Sequence, residues 1–192
     1  MAGVADRGQV AALRIELQGI EPLIWRRLAV RTTMTLMGVH RVIQAAMGWR
    51  DCHLWHFEAG RRRYSMRVPS EPEWNERYED AGRARLGMLL DGGLRRFEYA
   101  YDMGDNWEHS IIVEKVSAPA PSAKYPQFLG GERRCPPEDC GGAPGYFEFI
   151  KQISGKQKRV RDEALRWYGG PYDPDDIDEP KIVRALGKTA KR

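Results

Sequence analysis

Two stretches of alternating residues on either side of a glycine-containing turn constrain this chain more than any other feature. Aromatic residues occupy every second position of segment 97–101, and Trp, His, Ile and Val occupy every second position of segment 107–113. Because side chains of a β-strand point alternately to the two faces of a sheet, this period of two indicates strands with one buried face. The connection, residues 103–106, contains the glycine and Asx residues that tight turns favour. The pattern predicts an antiparallel hairpin.

The remaining periodicity predicts one early helix, several further strands and a helical end. Segments 10–17 and 24–30 have the composition of strands, and the glycine and proline between them break the extended run. Segment 36–47 places its apolar residues on one helical face, with a threonine before it and a glycine after it. Weaker patterns predict short strands over 54–60 and 64–68, a loop with a helical piece over 69–87 and an extended connection over 117–126. Three helices are predicted after that connection: one over 144–153, a second that ends at 168, and a third over 180–186. The sequence thus predicts an α+β fold, with a mainly antiparallel sheet, one N-terminal helix packed on it and a C-terminal helical cluster.

Length and composition indicate one globular domain without a membrane span. For 192 residues, against roughly 100 to 200 per domain, we expect a single domain over 1–192 with a core of about 11–187 and flexible ends at 1–9 and 188–192. No apolar run approaches the ~20 residues that cross a bilayer, and the first residues lack the apolar core of a secretory signal. Three cysteines cannot all pair within one chain, which favours a reducing cytoplasm. The net charge of +4 permits nucleic-acid binding without requiring it.

Two cysteines in a proline-containing loop suggest a metal site. Cys135 and Cys140 are separated by four residues, at the wide end of the spacing of zinc-binding cysteines, and His53, His56 and His109 are available to complete a tetrahedron. Zinc is the one cofactor that the sequence indicates. The alternative is that both cysteines are small buried residues that anchor an irregular loop.

The turn of the predicted hairpin concentrates ionisable groups. Asp102, Asp105 and Glu108 lie close together with His109, and such a group is suited to holding a hard cation or to acid–base catalysis. These four residues are the catalytic candidates. The alternative is structural, because Asp in a hairpin loop bonds its own backbone and His109 shares the face of Trp107 and Ile111, where an imidazole is usually part of the core.

Pairs of arginines support a binding role. Arginine forks suit phosphate and carboxylate groups, and tryptophans nearby in the sequence are suited to base stacking. The candidate binding residues are Arg26, Arg27, Trp107, Arg133, Arg134, Glu138 and Asp139. The expected partner is a nucleic acid or another protein. The alternative is a solvated basic face whose arginines pair with the acidic segment 173–179.

Several of these stretches, taken in order, resemble one protein family. The segments are Ile24–Arg27, Val39–Trp49, Gly104–His109, Cys135–Gly142 and Gly169–Pro174. Over about 13–186 the chain resembles the plasmid pRiA4b ORF-3-like family, although Met103 and Asn106 replace the usual Phe and Ser of the turn. The resemblance implies a bacterial α+β domain found on plasmids and near mobile elements, with no established biochemical activity. Some relatives carry resolvase or repressor labels.

The residues themselves argue against both labels. A serine recombinase needs a nucleophilic serine near its N-terminus, and the first forty residues contain none. A helix-turn-helix repressor needs a recognition helix after the first helix, but the segment after 36–47 is strand-like. We therefore predict a non-catalytic binding module for a protein or nucleic acid. The alternative is a small metal-dependent hydrolase that uses the 102–109 turn and the 135–140 loop.

Overall fold

Eight strands and six helices form along residues 8–189, the part of the chain that the computed structural model describes. The strands are β1 (Val10–Leu17), β2 (Ile24–Arg31), β3 (Trp55–Ala59), β4 (Arg62–Ser65), β5 (Glu79–Asp80), β6 (Arg96–Tyr101), β7 (Trp107–Ser117) and β8 (Gln127–Glu132). The helices are α1 (Leu36–Met47), α2 (Pro72–Arg77), α3 (Leu86–Asp91), α4 (Gly142–Ser154), α5 (Lys158–Tyr168) and α6 (Glu179–Thr189). The predicted α+β class is confirmed.

The eight strands form one open sheet in the order β5-β4-β3-β6-β7-β1-β2-β8. Neighbours pair antiparallel except β4 and β5, which are parallel. The predicted hairpin is β6–β7, in which Tyr99 lies opposite His109 and Tyr101 opposite Trp107. Because these residues share the buried face, the aromatic residues of the hairpin form the centre of the core.

Helix α1 covers this face, as its sequence predicted. The Thr35 side chain accepts a hydrogen bond from the Gly38 amide at 3.1 Å and caps the first turn. Gly48 ends the helix with φ 85°, a left-handed conformation that glycine adopts without strain. The buried apolar stripe of α1 packs against the sheet, and α6 packs against α1. The predicted N-terminal helix and C-terminal helical cluster are both present.

Three elements were not predicted. The short strand β5 lies within the segment 69–87 that was expected to be a loop, and helix α3 begins at the end of that segment. Strand β8 follows the 117–126 connection. Strand β8 contains Gly130 and Gly131, so it lacks an alternating pattern. A Cβ at Gly131 would lie 2.8 Å from the Trp25 carbonyl oxygen, which shows how closely the two backbones approach. The second short strand begins earlier than predicted, at Arg62 rather than Tyr64.

The structure describes only four residues of the predicted flexible ends, at positions 8, 9, 188 and 189. Gly8 and Gln9 precede β1 outside any strand, whereas Lys188 and Thr189 belong to α6. The rest of the predicted flexible ends, 1–7 and 190–192, lies outside the described residues. Within residues 8–189, no helix is both long enough and apolar enough to span a bilayer.

Candidate metal centre

Three loops meet around one imidazole. His53, in the loop before β3, places its Nε2 atom 3.0 Å from Asp139 Oδ1, 3.5 Å from Asp102 Oδ2 and 3.9 Å from Glu138 Oε2. This nitrogen is shielded from solvent and has no hydrogen-bond partner of acceptable geometry. We call these four residues the His53 cluster. Its members come from loops that are widely separated in sequence and are brought together by the β6–β7 hairpin and the loop before α4.

The two carboxylate oxygens of Asp102 have different partners. Its Oδ1 atom accepts hydrogen bonds from the amides of Gly104 at 2.9 Å and Asp105 at 3.3 Å, which closes the hairpin turn. Asp102 has φ 59°, in the left-handed region that Asp tolerates better than most residues. The structural role suggested for this aspartate therefore applies to one oxygen, and the other oxygen faces His53.

The hairpin turn is docked directly onto the loop before α4. Asp105 Oδ2 accepts a hydrogen bond from the Gly141 amide at 3.1 Å. At Gly142, with φ 66°, a Cβ atom would lie 2.6 Å from the Asp105 carbonyl oxygen. A side chain does not fit between the two segments, so the glycines of the loop set the distance from Asp102 to Glu138 and Asp139.

Gly142→Ala is expected to lower the free energy of unfolding by about 1–3 kcal/mol, because it combines a left-handed residue with a backbone clash. Urea denaturation followed by circular dichroism measures the change. Gly170→Ala is the matched control, since a Cβ there meets no atom within 4 Å, and it should change the free energy of unfolding by less than about 0.5 kcal/mol. Equal effects of the two substitutions would contradict the docking.

Glu138 is a buried carboxylate whose two oxygens have different surroundings. Oε1 accepts hydrogen bonds from the Arg50 amide at 2.6 Å and from the Tyr101 hydroxyl at 3.1 Å, whereas Oε2 lies 3.4 Å from the same hydroxyl and faces His53. Burial raises the pKa of Tyr101, and the nearby Glu138 carboxylate raises it further, so the hydroxyl stays protonated and donates. Among residues 8–189, no Lys or Arg side chain forms an ion pair with the three carboxylates of the cluster.

The spacing of the cluster suits a metal ion. The ligand atoms of His53, Asp102 and Asp139 all lie within 4.8 Å of one another. Atoms that surround a tetrahedral ion at 2.0–2.3 Å stand roughly 3.3–3.8 Å apart, which is close to the separations seen here. Imidazole nitrogen and carboxylate oxygen are common ligands of zinc and of other divalent transition metals. A cation would also offset three carboxylates that, among the described residues, form no ion pair with a Lys or Arg side chain.

Only His53 of the five predicted metal ligands belongs to this group. Cys135 is buried, with its Sγ atom 3.3 Å from Arg26 Nη2 and 3.2 Å from Met47 Sδ, and burial raises the pKa of its thiol. Burial, and after it the Asp105 carboxylate, raises the pKa of Cys140 to about 12. In the described residues, neither cysteine belongs to a group of three or more ligand atoms, so their packing matches the structural alternative rather than the zinc site predicted from their spacing.

The other two histidines lie away from the cluster. His109 on β7 is fully buried against the Trp49 and Tyr99 rings, and burial lowers its pKa to about 4. His56 on β3 faces Glu58, at 3.4 Å, and the Tyr78 ring. In the described residues, neither ring belongs to a group of three or more ligand atoms.

The four catalytic candidates are separated by the strand that carries two of them. Asp102 and Asp105 belong to the turn, Glu108 is exposed and accepts a hydrogen bond from Asn106, and His109 points into the core. Successive side chains on β7 face opposite sides of the sheet, so His109 and Glu108 cannot act on one substrate group. The predicted convergence of all four needs correction: only Asp102 reaches the His53 cluster.

Two of the predicted binding residues are interior residues. Arg26 is 1% exposed, and its guanidinium donates to the carbonyls of Ala46, Trp25 and Glu132 at 2.8–3.0 Å. Trp107 is 2% exposed. The prediction that these two side chains contact a partner is corrected, because alternation along a buried strand directs them into the core.

The remaining arginines of the prediction are paired at the surface. Arg27 donates to Glu114 at 2.6 Å, Arg134 to Asp176 at 2.9 Å, and Arg133 forms an ion pair with Asp175. For Arg133 and Arg134, pairing with the acidic segment 173–179 is the arrangement that the sequence offered as the alternative to partner binding. Glu138 and Asp139, by contrast, both belong to the His53 cluster.

Sequence reasoning missed Cys52 and Tyr101. Ligand atoms of Cys52, His53 and Glu138 form a second group within 4.8 Å of one another, and Tyr101 bonds to Glu138. The adjacent Cys52 and His53 were a usable signal, since both side chains are metal ligands. Cys52 also differs from the other two cysteines in being exposed.

A cleft of about 600 Å³ opens beside the cluster, within the range of small-molecule sites. Its walls are the C-terminal part of α1, the 134–139 segment, the end of α5 and the start of α6. Glu138 and Asp139 line the cleft as well as the His53 cluster. A metal ion held by the cluster would therefore lie at the edge of the cleft.

A family model, a protein sequence and a solved structure each match most of this chain. The sequence model of the family described as plasmid pRiA4b ORF-3-like protein matches residues 9–181. The uncharacterized protein y4hQ of Sinorhizobium fredii (strain NBRC 101917 / NGR234) is 39% identical over 185 residues, which cover 95% of this chain and 93% of that protein. The crystal structure of MM3350, a protein of unknown function from Methanosarcina mazei Go1, has a TM-score of 0.81 and 29% identity, and the match covers 92% of this chain and 98% of that one. With this fold and these matches, the chain belongs to the plasmid pRiA4b ORF-3-like family, whose matched relatives have names that state no catalytic activity.

Proposed function

We propose that the protein is a binding module that holds a divalent metal ion at the His53 cluster. One observation carries the proposal: a solvent-shielded imidazole nitrogen without a hydrogen-bond partner lies 3.0–3.9 Å from three carboxylate oxygens. A buried polar atom without a partner costs free energy, and so do three adjacent carboxylates. A divalent cation removes both costs at once.

A proton on His53 Nε2 is the competing occupant. The 3.0 Å separation from Asp139 fits an ion pair, but a single N–H can be aimed at only one of the three carboxylates. A metal ion has no such directional limit within its coordination sphere and contacts several oxygens together. The two occupants differ in a measurable way, because only a site that holds a metal ion gives saturable binding when the protein is titrated with that ion at constant pH.

The cleft supports a role in which the ion contacts a ligand. Glu138 and Asp139 belong to both sites, so an ion at the cluster would complete its coordination with water or with an atom of a molecule in the cleft. A protein or nucleic-acid group remains our proposed partner.

We treat residues 1–192 as one domain, supported by the continuous hydrophobic core. We propose the cytoplasm as its location, supported by three unpaired cysteines.

His53→Ala is expected to reduce the affinity for Zn²⁺ by at least about 100-fold, since removing even an outer-shell partner of a metal ligand costs about 10–100-fold. The measurement is isothermal titration calorimetry on protein first stripped with a chelator, with about one ion per chain expected for the wild type. His56→Ala is the matched control, because His56 also faces a carboxylate, Glu58, but lies outside the cluster.

Two outcomes would overturn the proposal. The first is that stripped wild-type protein shows no saturable binding of Zn²⁺, Mn²⁺ or Mg²⁺. The second is that His53→Ala and His56→Ala lose affinity equally, which would place the ion elsewhere. Circular dichroism of each variant establishes that a lost signal reflects the site rather than unfolding.

A small metal-dependent hydrolase is the second candidate function. The position of Glu138 and Asp139 at the cleft favours it, because an open coordination position beside a substrate is what metal-activated water requires. Turnover of phosphodiester and peptide substrates by zinc-loaded protein, absent in His53→Ala, would support this candidate. Saturable metal binding without turnover favours the binding module.

A further inference from the structure

The Cys52 thiol lies close to the His53 imidazole. The Sγ atom of Cys52, a ring nitrogen of His53 and a carboxylate oxygen of Glu138 are all within 4.8 Å of one another. Cys52 is exposed, whereas Cys135 is buried and Cys140 is partly buried. A cysteine that only fills space would be expected in the core, as Cys135 is.

The backbone of Cys52 and the carboxylate of Glu138 are linked by one hydroxyl. Tyr101 Oη accepts a hydrogen bond from the Cys52 amide at 3.2 Å and donates one to Glu138 Oε1 at 3.1 Å. The Cys52 Sγ atom lies 3.8 Å from the Tyr101 hydroxyl oxygen. Outer-shell groups of this kind orient metal ligands, because they fix the direction of the donor atoms before the ion arrives.

We propose that Cys52 is a metal ligand and that, with His53 and Glu138, it makes the cluster selective for zinc and similar thiophilic ions over magnesium and calcium. This inference rests on the proposed function, since it concerns the identity of the ion bound there. Thiolate and imidazole prefer zinc, whereas a set made only of carboxylates and carbonyls prefers magnesium or calcium. Asp102 and Asp139 form a second ligand group with the same histidine, with oxygens 3.5 Å and 3.0 Å from His53 Nε2, and are the candidates for the remaining oxygen ligands.

Cobalt substitution tests the sulfur ligand directly. Co²⁺-loaded wild-type protein should show a near-ultraviolet sulfur-to-cobalt charge-transfer band, which Cys52→Ser should lose while it keeps the visible absorption of bound cobalt. Cys140→Ser, the matched control, should keep the band, since the Cys140 sulfur belongs to no ligand group of the described residues. In calorimetry, Cys52→Ser should reduce Zn²⁺ affinity by at least about 10-fold and change Mn²⁺ affinity by less than about threefold.

The outcomes separate this inference from the function on which it rests. If wild-type protein binds neither Co²⁺ nor Zn²⁺, the metal-binding function itself fails. If wild-type protein binds both ions and Cys52→Ser keeps the band and the zinc affinity, the thiol ligand alone is refuted. Loss of the band in Cys140→Ser but not in Cys52→Ser would assign the sulfur to the other cysteine and overturn the inference as well.

Discussion

Arg26→Ala should lower the free energy of unfolding by about 3–5 kcal/mol, the scale of a large buried side chain truncated to alanine. The Arg26 guanidinium crosslinks three segments: it donates to Ala46 at the end of α1, to Trp25 on β2 and to Glu132 on β8. Its removal leaves these carbonyls without that donor and opens a void beside Cys135. Chemical denaturation monitored by tryptophan fluorescence measures the loss.

The adjacent Arg27 supplies the control for this prediction. Its side chain is 45% exposed and pairs with Glu114 at the surface, so Arg27→Ala should cost less than about 1 kcal/mol. Arg26→Lys keeps the charge but has a single nitrogen in place of the fork, so its stability should lie between those of the wild type and Arg26→Ala. Similar losses for Arg26→Ala and Arg27→Ala would show that the buried hydrogen bonds are not what makes Arg26 stabilising.

Acidification from pH 6.5 to pH 4 should remove roughly 3 kcal/mol of stability through His109 alone. Burial lowers the pKa of His109 to about 4 in the folded protein, against an ordinary value of 6.5. Between these two values the unfolded chain binds a proton that the folded chain does not, so the free energy of unfolding falls as the pH falls. Well above pH 6.5 the residue is neutral in both states and contributes no slope. His40 and His56, whose pKa values burial also lowers, act in the same direction.

His109→Leu isolates this contribution. Urea denaturation at a series of pH values should give a variant whose stability falls less than that of the wild type between pH 6.5 and pH 4, whatever its stability at neutral pH. The comparison uses the change across the pH range, because leucine also alters packing against Trp49 and Tyr99. Parallel curves for the two proteins would mean that His109 takes up its proton at the same pH in the folded and unfolded chains.

The fold was predictable where a local pattern repeats. The β6–β7 hairpin and helix α1 follow from periods of two and of about 3.6 residues, and both form where predicted. Strand β8 has no such pattern, because Gly130 and Gly131 interrupt it and its stability comes from pairing with β2. Pairing between distant segments is invisible to a reading of local sequence.

The chain segments that meet at the candidate site could be predicted from the sequence, but the side chains that point into it could not. The 102–109 turn and the 135–140 loop both contribute residues to the His53 cluster. The two residues that the spacing favoured, Cys135 and Cys140, instead pack against the hydrophobic core. His109 shares the buried face with Trp107, and this alternation was the signal that it belongs to the core. The direction of a loop side chain depends on left-handed residues such as Asp102 and Asp139, whose backbone conformations no sequence spacing reveals.

The arrangement of the sheet's outer strands affects how the protein resists aggregation. An open sheet exposes unpaired amides and carbonyls at both edges, where a strand from another molecule can attach. Here one edge, β5, is only two residues long. The other edge, β8, contains two glycines and a register irregularity against β2. Neither edge offers a long regular template, so the eight-stranded sheet has the edge protection that natural proteins use against fibre formation.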